Sequence, residues 1–317
     1  MKAALQKSPI PDAHAFVVKD LKDPYFDPNW HFHPEYQLFV VLKGTGTRFV
    51  GDHVEPFREG DMVFTGPNLP HLWRSDNIYF EGRKDLYTHG IVIYFHEEFL
   101  PDVLLHTEET IKVRKLLEKA NRGIRIVGST AQLIQQRMIE LLKIQGFESV
   151  IHLLKILHVL SDSREYHLLS SAGYTNSLKE GDTEKMNQVH AYVMKNFKNK
   201  ISLEEVAAMA NMTPTSFSRY FKTHANKTFS SLLSEIRIGY ACKLLIEEKM
   251  NVAQACYSSG FFTLSNFNKQ FREITGKSPV AYRKEYVQVV GWFIEDTFIG
   301  EKGKYEITES KLEQNQR

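Results

Sequence analysis

The sequence predicts an α+β protein of more than one domain. A small β-barrel with flanking helices comes first, followed by an all-α part built from two helix–turn–helix units. Three observations predict this. Apolar runs in the first hundred residues are broken by closely spaced turn signals, the apolar period lengthens to three and four residues from about Glu108, and one helical pattern near the C-terminus recurs at an offset of 50 residues. At 317 residues the chain is long for one globular unit and comfortable for two or three.

The strands come first. Gln37–Leu42, Thr47–Val50, Asp61–Thr65 and Gly90–Phe95 are rich in β-branched and aromatic residues, and Lys43-Gly44-Thr45-Gly46, Gly51-Asp52 and Gly66-Pro67-Asn68 separate them. Short strands so close together imply a barrel or sandwich, placed over residues 1–100. Residues 101–169 read as helical cover. Ile111, Lys115, Leu116 and Lys119 fit one helix, Ser129 to Gln145 a second, and Phe147 to Leu160 a third. In the second, Leu133, Ile134, Met138, Leu141 and Leu142 form a stripe wide enough for a core and a seam with another subunit. Residues 170–182 lack a periodic pattern and read as a linker.

Residues 183–286 carry the doubled unit. Ser202-Leu203-Glu204-Glu205 is a capping box opening a short helix, Asn211-Met212 makes a turn, and Thr213-Pro214 starts the next helix with an N-cap and a proline in its first turn. Phe217 and Phe221, four apart, must face inward, which leaves Thr215, Ser216, Ser218, Arg219 and Lys222 outside. The motif from Phe217 to Lys222 returns as Phe267 to Arg272, with Lys227 matched by Lys277. The second copy turns outward Leu264, Ser265, Asn266, Asn268, Lys269 and Arg272. One polar helix face is usually just solvated. Two, joined by a long helix marked by Phe229, Leu232, Ile236, Tyr240 and Leu244, suit successive major grooves about 34 Å apart. Asn pairs well with adenine, and Arg or Lys with guanine or phosphate.

Charge agrees with that reading once it is divided. The total is only +2, but residues 183–286 hold 15 Lys and Arg against 8 Asp and Glu, so the remainder is net acidic. A hydrophobic content of 42% with 25% charged residues excludes a disordered chain. No apolar run approaches the ~18 residues of a membrane span, the N-terminus lacks a signal-peptide core, and two cysteines, Cys242 and Cys256, cannot make a disulfide framework. The expectation is a cytoplasmic protein without membrane partners.

The run from Ser202 to Tyr286 resembles the DNA-binding domain of AraC/XylS-type transcriptional regulators. The most specific portion is Ala255 to Phe261, then Ser265-Asn266-Phe267-Asn268-Lys269-Gln270-Phe271-Arg272 and the close Gly276-Lys277-Ser278-Pro279-Val280-Ala281-Tyr282-Arg283. Cys256 departs from the small or aliphatic residue usual there and should pack equivalently. The resemblance implies base reading by helices 213–223 and 263–273, a double-stranded operator as partner, RNA polymerase contact if the protein activates, and a homodimer through helices 129–161. Residues 287–317 extend past the usual end of the domain; Val287 to Phe298 is apolar enough to pack, and the chain from Glu301 is polar and frayed.

The N-terminal segments His31-Phe32-His33-Pro34-Glu35-Tyr36-Gln37 and Pro67 to Trp73 resemble the two cupin motifs, so the barrel is expected to be cupin-like. Three readings of His31, His33 and His71 stand side by side: contact with an effector, purely structural hydrogen bonding, and metal ligation. The cupin metal pattern would place Glu where this chain has Gln37, a neutral and poorer ligand, so no cofactor is expected. The effector, a sugar or related metabolite, is expected to meet His31, His33, Gln37, Lys43, His71, Trp73 and His89, the resemblance being what adds Lys43, Trp73 and His89. No Ser/His/Asp set, CxxC, P-loop or GxGxxG stands where chemistry needs it, so catalysis is not expected. The alternatives are a metal-dependent cupin enzyme with an appended helical module, and an adaptor that binds protein through helices 129–161.

Overall fold

The structure, a computed structural model, describes residues 10–284 apart from 12, 84, 173, 175–179 and 247–249. The extension expected at 287–317 lies outside the described residues, as does part of the expected linker. The chain divides into two compact units, one running through Ile236 and the other from Arg237.

The first unit opens with two facing sheets. Strands β1 (Phe16–Asp23), β2 (Tyr36–Lys43), β5 (Met62–Thr65), β7 (Thr88–Phe95), β8 (Ile124–Ile126) and β9 (Tyr166–Leu168) form one sheet in the order β1-β7-β2-β5-β8-β9. Strands β3 (Gly46–Val50), β4 (His53–Phe57) and β6 (His71–Ser75) form the other in the order β4-β3-β6. Strand β2 is buried on both faces, and its parity sorts its residues. Tyr36, Leu38 and Val40 join a core shared with the helices, while Phe39 and Val41 join a second core between the sheets.

The helices covering the larger sheet are α1 (Asp102–Leu105), α2 (Ile111–Ala120), α3 (Gly128–Leu141) and α4 (Phe147–Asp162). The stripe expected on α3 divides. Ile134, Met138 and Leu141 are buried in the core, Leu142 is half-buried, and Leu133 remains 44% exposed. The core therefore takes most of an apolar face that sequence alone leaves open to either use.

The helical part begins with α5 (Glu180–Asn196), which starts inside the stretch expected as linker. The start of that stretch is also ordered against the barrel: Ser170 is buried with its hydroxyl donating to the Val50 carbonyl, and Ser171 donates twice to Asp52. Then follow α6 (Leu203–Met209), α7 (Pro214–Ala225), α8 (Phe229–Ile246), α9 (Val252–Ser258) and α10 (Leu264–Thr275). Phe217, Phe221 and Phe229 pack at ring distances of 5.6–5.9 Å in the first unit. Phe261, Phe267, Phe271 and Tyr282 repeat that stack in the second, at 5.3–5.5 Å. Cys256 is fully buried among these, as Ala207 is in the first copy, so the thiol fills the place of a small apolar side chain.

Candidate DNA-reading helices and barrel site

Each candidate reading helix, α7 and α10, is started and stopped by its own sequence. Ser202 and Asn251 cap α6 and α9 with reciprocal boxes to Glu205 and Gln254. Thr213 and Thr263 cap α7 and α10 by accepting from the amides of Ser216 and Asn266. Both helices end in a left-handed residue, Asn226 at φ 54° and Gly276 at φ 73°, again 50 apart. With two phenylalanines on each helix fully buried, Thr215, Ser216, Ser218, Arg219 and Lys222 are exposed on α7. Leu264, Ser265, Asn266, Asn268, Lys269 and Arg272 are exposed on α10. Neither helix has an acidic residue in its first turn, so nothing offsets the positive end of its dipole. On α10 the pair of Lys269 with Glu273 is long at 4.0 Å and solvated, leaving the ammonium available.

The seven residues expected to meet an effector fall into two groups. His31, His33, Gln37, His71 and Trp73 come together inside the barrel. His31 and His71 form an antiparallel bridge, exchanging backbone hydrogen bonds of 3.2 and 2.9 Å. Ring centroids lie 4.6 Å apart for His31 and His71 and 5.0 Å apart for His33 and His71. Lys43 and His89 sit elsewhere, opposite each other where β2 pairs with β7. Lys43 lies 3.9 Å over the Tyr87 ring, and His89 pairs with Asp20 at 2.6 Å. Six residues of extended strand, about 20 Å, separate Gln37 from Lys43.

Proton bookkeeping defines the barrel cluster. The Nδ1 atoms of His31 and His71 lie 2.8 and 2.7 Å from the carbonyls of Asn29 and Leu69, which can only accept, so each Nδ1 carries the proton. His33 Nδ1 lies 3.2 Å from the buried Glu35 carboxylate. Desolvation, with neighbouring imidazoles adding to it, lowers the pKa of His71 well below 6.5, and burial lowers that of His31. With the proton on Nδ1, Nε2 of His71 can only accept; the Gln37 side-chain amide meets the Nε2 atoms of both His33 and His71 at 3.2 Å, so it is the amide's NH2 rather than its oxygen that must face them. One nitrogen from each histidine falls within 4.8 Å of the others. Such a donor set fits a borderline divalent ion, which His31, His33 and His71 would hold with Gln37 beside them, and it fits hydroxyl donors equally. An ion there would act as a Lewis acid for a ligand oxygen. Trp73 is less available. Its indole packs edge-on against Phe39 at 4.8 Å, its N–H donates to Asp61 at 3.4 Å, and it is 5% exposed.

Two contacts that sequence reasoning missed join the barrel to the first helix–turn–helix. Trp30, next to His31, pairs both backbone groups with Asn187 of α5 and stacks on His190 at 5.1 Å and 16°. Asp52, in the β3–β4 turn, accepts from Asn226, the cap of reading helix α7, at 2.9 Å. Partners 157 and 174 residues apart leave no local pattern to find.

Comparison with known proteins follows the same division. Residues 206–285 match the family described as a helix-turn-helix domain, and residues 23–77 match the cupin domain. A relative from Bacillus subtilis, the uncharacterized HTH-type transcriptional regulator YdeC, is 25% identical over 266 residues, covering 80% of this chain and 85% of its own. The MmsAB operon regulatory protein of Pseudomonas aeruginosa is 29% identical over 154 residues, 46% of this chain and 49% of the relative. The chain is an AraC/XylS-type transcriptional regulator with a cupin-like N-terminal domain. A further relative, the raffinose operon transcriptional regulatory protein RafR of Pediococcus pentosaceus, is 24% identical over 178 residues, 51% of this chain and 64% of the relative. These relatives are named as regulators rather than as enzymes, and this AraC/XylS-type chain is a DNA-binding regulator in the same sense. No helix among its described residues is long and apolar enough to cross a membrane.

Proposed function

We propose that this regulator senses a small molecule at the His31–His33–His71–Gln37 cluster and that occupancy there alters DNA binding or activation by the two reading helices. The observation that carries the reading is the adjacency of cluster and clamp: the strand residue bearing His31 is bonded to Trp30, which α5 holds through Asn187 and His190. A ligand that moves His31 moves the neighbour by which the barrel holds the first DNA-reading unit. Three clustered imidazoles and an amide suit the hydroxyls of a sugar or related metabolite, and an operon named for raffinose among the relatives supports that class. A divalent ion is the second reading, favoured by the pinned Nδ1 protons.

The proposed organisation assigns 1–100 to sensing, 101–169 to cover and pairing, 170–182 to connection, 183–286 to DNA and 287–317 to an extension. Pairing of two copies through 129–161 is supported by the exposed apolar side chains Leu133, Phe147 and Leu154, 44%, 77% and 39% exposed. RNA polymerase would be a further partner of an activator. A thermal-shift screen of sugars and of Zn²⁺, Ni²⁺ and Co²⁺ tests the sensing site, since a ligand at 100 times its Kd adds about 2.7 kcal/mol of stability. A hit abolished by His33→Ala, followed by operator binding with and without it, supports the reading. Hits indifferent to His33→Ala and His71→Ala would refute it.

A further inference from the structure

The two helix–turn–helix copies differ by one residue, and its position is defined by their hydrogen bonds. Before the turn the copies align at an offset of 49: Ser202 with Asn251 as caps, Ala207 with Cys256 in the core, Asn211 at φ 55° with Gly260 at φ 89°. The Met212 amide donates to the Ala207 carbonyl at 2.9 Å, and the Phe261 amide donates to the Cys256 carbonyl at 3.2 Å, so Phe261 is the counterpart of Met212. After the turn the offset is 50: Thr213 with Thr263 as caps, Phe217 with Phe267 inside. The inserted residue is Phe262.

Phe261 takes the buried place, 3% exposed and 5.3 Å from Phe267, whereas Phe262 is 66% exposed immediately before the cap of α10. Leu264, two residues on, is 37% exposed. Single exposed apolar side chains are ordinary, but these two flank the start of a helix whose next outward residues are Ser265, Asn266, Asn268 and Lys269. The first copy has Met212 and Pro214 nearby, both half-buried, and offers hydroxyls and Arg219 instead. In a major groove the only apolar feature on a base edge is the thymine methyl, and the partner adenine of that pair accepts the two-bond contact of Asn.

We infer that Phe262, with Leu264, reads thymine methyl groups, so that α10 selects an A·T-rich half-site while α7 reads a different, Arg-directed one. This rests on the reading of α10 as a base-contacting helix. The test uses the full chain and an operator obtained by random-site selection, with each thymine replaced in turn by deoxyuridine, which lacks only the methyl. At one or two thymines the wild type should lose about fourfold in affinity, the equivalent of one buried methyl at about 0.8 kcal/mol. Phe262→Ala should bind the thymine probe about as the wild type binds the uracil probe and lose little more on methyl removal, and Phe262→Leu should keep most of the discrimination. Indifference of the wild type to every replacement, or full discrimination retained by Phe262→Ala, overturns the inference. So does a Phe262→Ala protein that binds all probes normally and fails only in transcription in vitro, which would make the aromatic a protein contact. If Asn266→Ala and Lys269→Ala also bind every sequence as the wild type does, the underlying reading of α10 fails instead.

Discussion

Asn187 answers both backbone groups of Trp30: its side-chain oxygen accepts the Trp30 N–H at 2.6 Å, and its amide nitrogen donates to the Trp30 carbonyl at 3.2 Å. One turn further along α5, His190 covers the indole. Asn187→Ala leaves two backbone groups of a 3% exposed residue without those partners, which costs about 1–3 kcal/mol. The expected outcome in hydrogen exchange is early loss of protection at Trp30 and along α5 while the β2 core stays protected. Uniform protection in the variant would show that the clamp carries no stability.

Acid should loosen the same contact. Burial alone holds the His190 imidazole down at about 4, against 6.5 for the free side chain. Its contribution is present in full above pH 6.5 and is lost as pH falls toward 4, because in that window the unfolded chain binds a proton that the folded chain refuses. The slope attributable to one such proton is about 1.4 kcal/mol per pH unit. His190→Phe can still stack on Trp30 and Phe49 without a proton to gain, so urea titrations between pH 4 and 6.5 should show a shallower decline than in the wild type.

Arg48 is fully buried, its guanidinium bonded to Asp61 at 2.5 and 2.6 Å and to Glu55 at 2.8 Å, with Arg125 closing on Glu55 at 3.0 Å. This links β3 of the smaller sheet to the residue preceding β5 of the larger one. Asp61→Ala removes two of the buried cation's bonds and leaves it only the half-exposed Glu55, which should cost about 3 kcal/mol in denaturant unfolding. Replacing Arg48 and Asp61 together by Met and Leu should cost less than Asp61→Ala alone.

Arg219→Ala and Lys269→Ala should each weaken operator binding by about 1–3 kcal/mol where the side chain reaches a base. A lysine that meets only phosphate would instead lower affinity evenly over all sequences and reduce the salt slope by about one. Titrations at several salt concentrations separate the two roles for each residue.

What was legible in the sequence was what is local or repeated. The capping box at Ser202, the Phe pairs four apart and the outward Ser, Asn, Arg and Lys are set by spacing within one turn, and the structure has the box formed, the Phe pairs buried and those polar side chains exposed. The second box, Asn251 to Gln254, was not read from the sequence. The short strands β8 and β9 were not legible, because three residues between helices show no period. Strand β6 was hidden by its histidine and its preceding Pro-rich turn. The inserted Phe262 is invisible at a single offset of 50 and shows only once the caps Ser202 and Asn251, 49 apart, are set beside Thr213 and Thr263, 50 apart. The grouping of Gln37 with His33 and His71 depends on strand register, which a one-residue slip would reverse, whereas Lys43 and His89 are kept from them by distance along β2.

Strand β2 is a party wall between two rooms. Its odd positions 37, 39 and 41 face the chamber that holds the histidines, and its even positions 36, 38 and 40 face the room of α3 and α4. Parity keeps the tenants apart. A substitution at 37 or 39 is felt on the histidine side of the sheet, and one at 38 or 40 among the helices. Under the proposed function, specificity at the histidine cluster is therefore open to change one side chain at a time without disturbing the helix layer packed on the same eight residues.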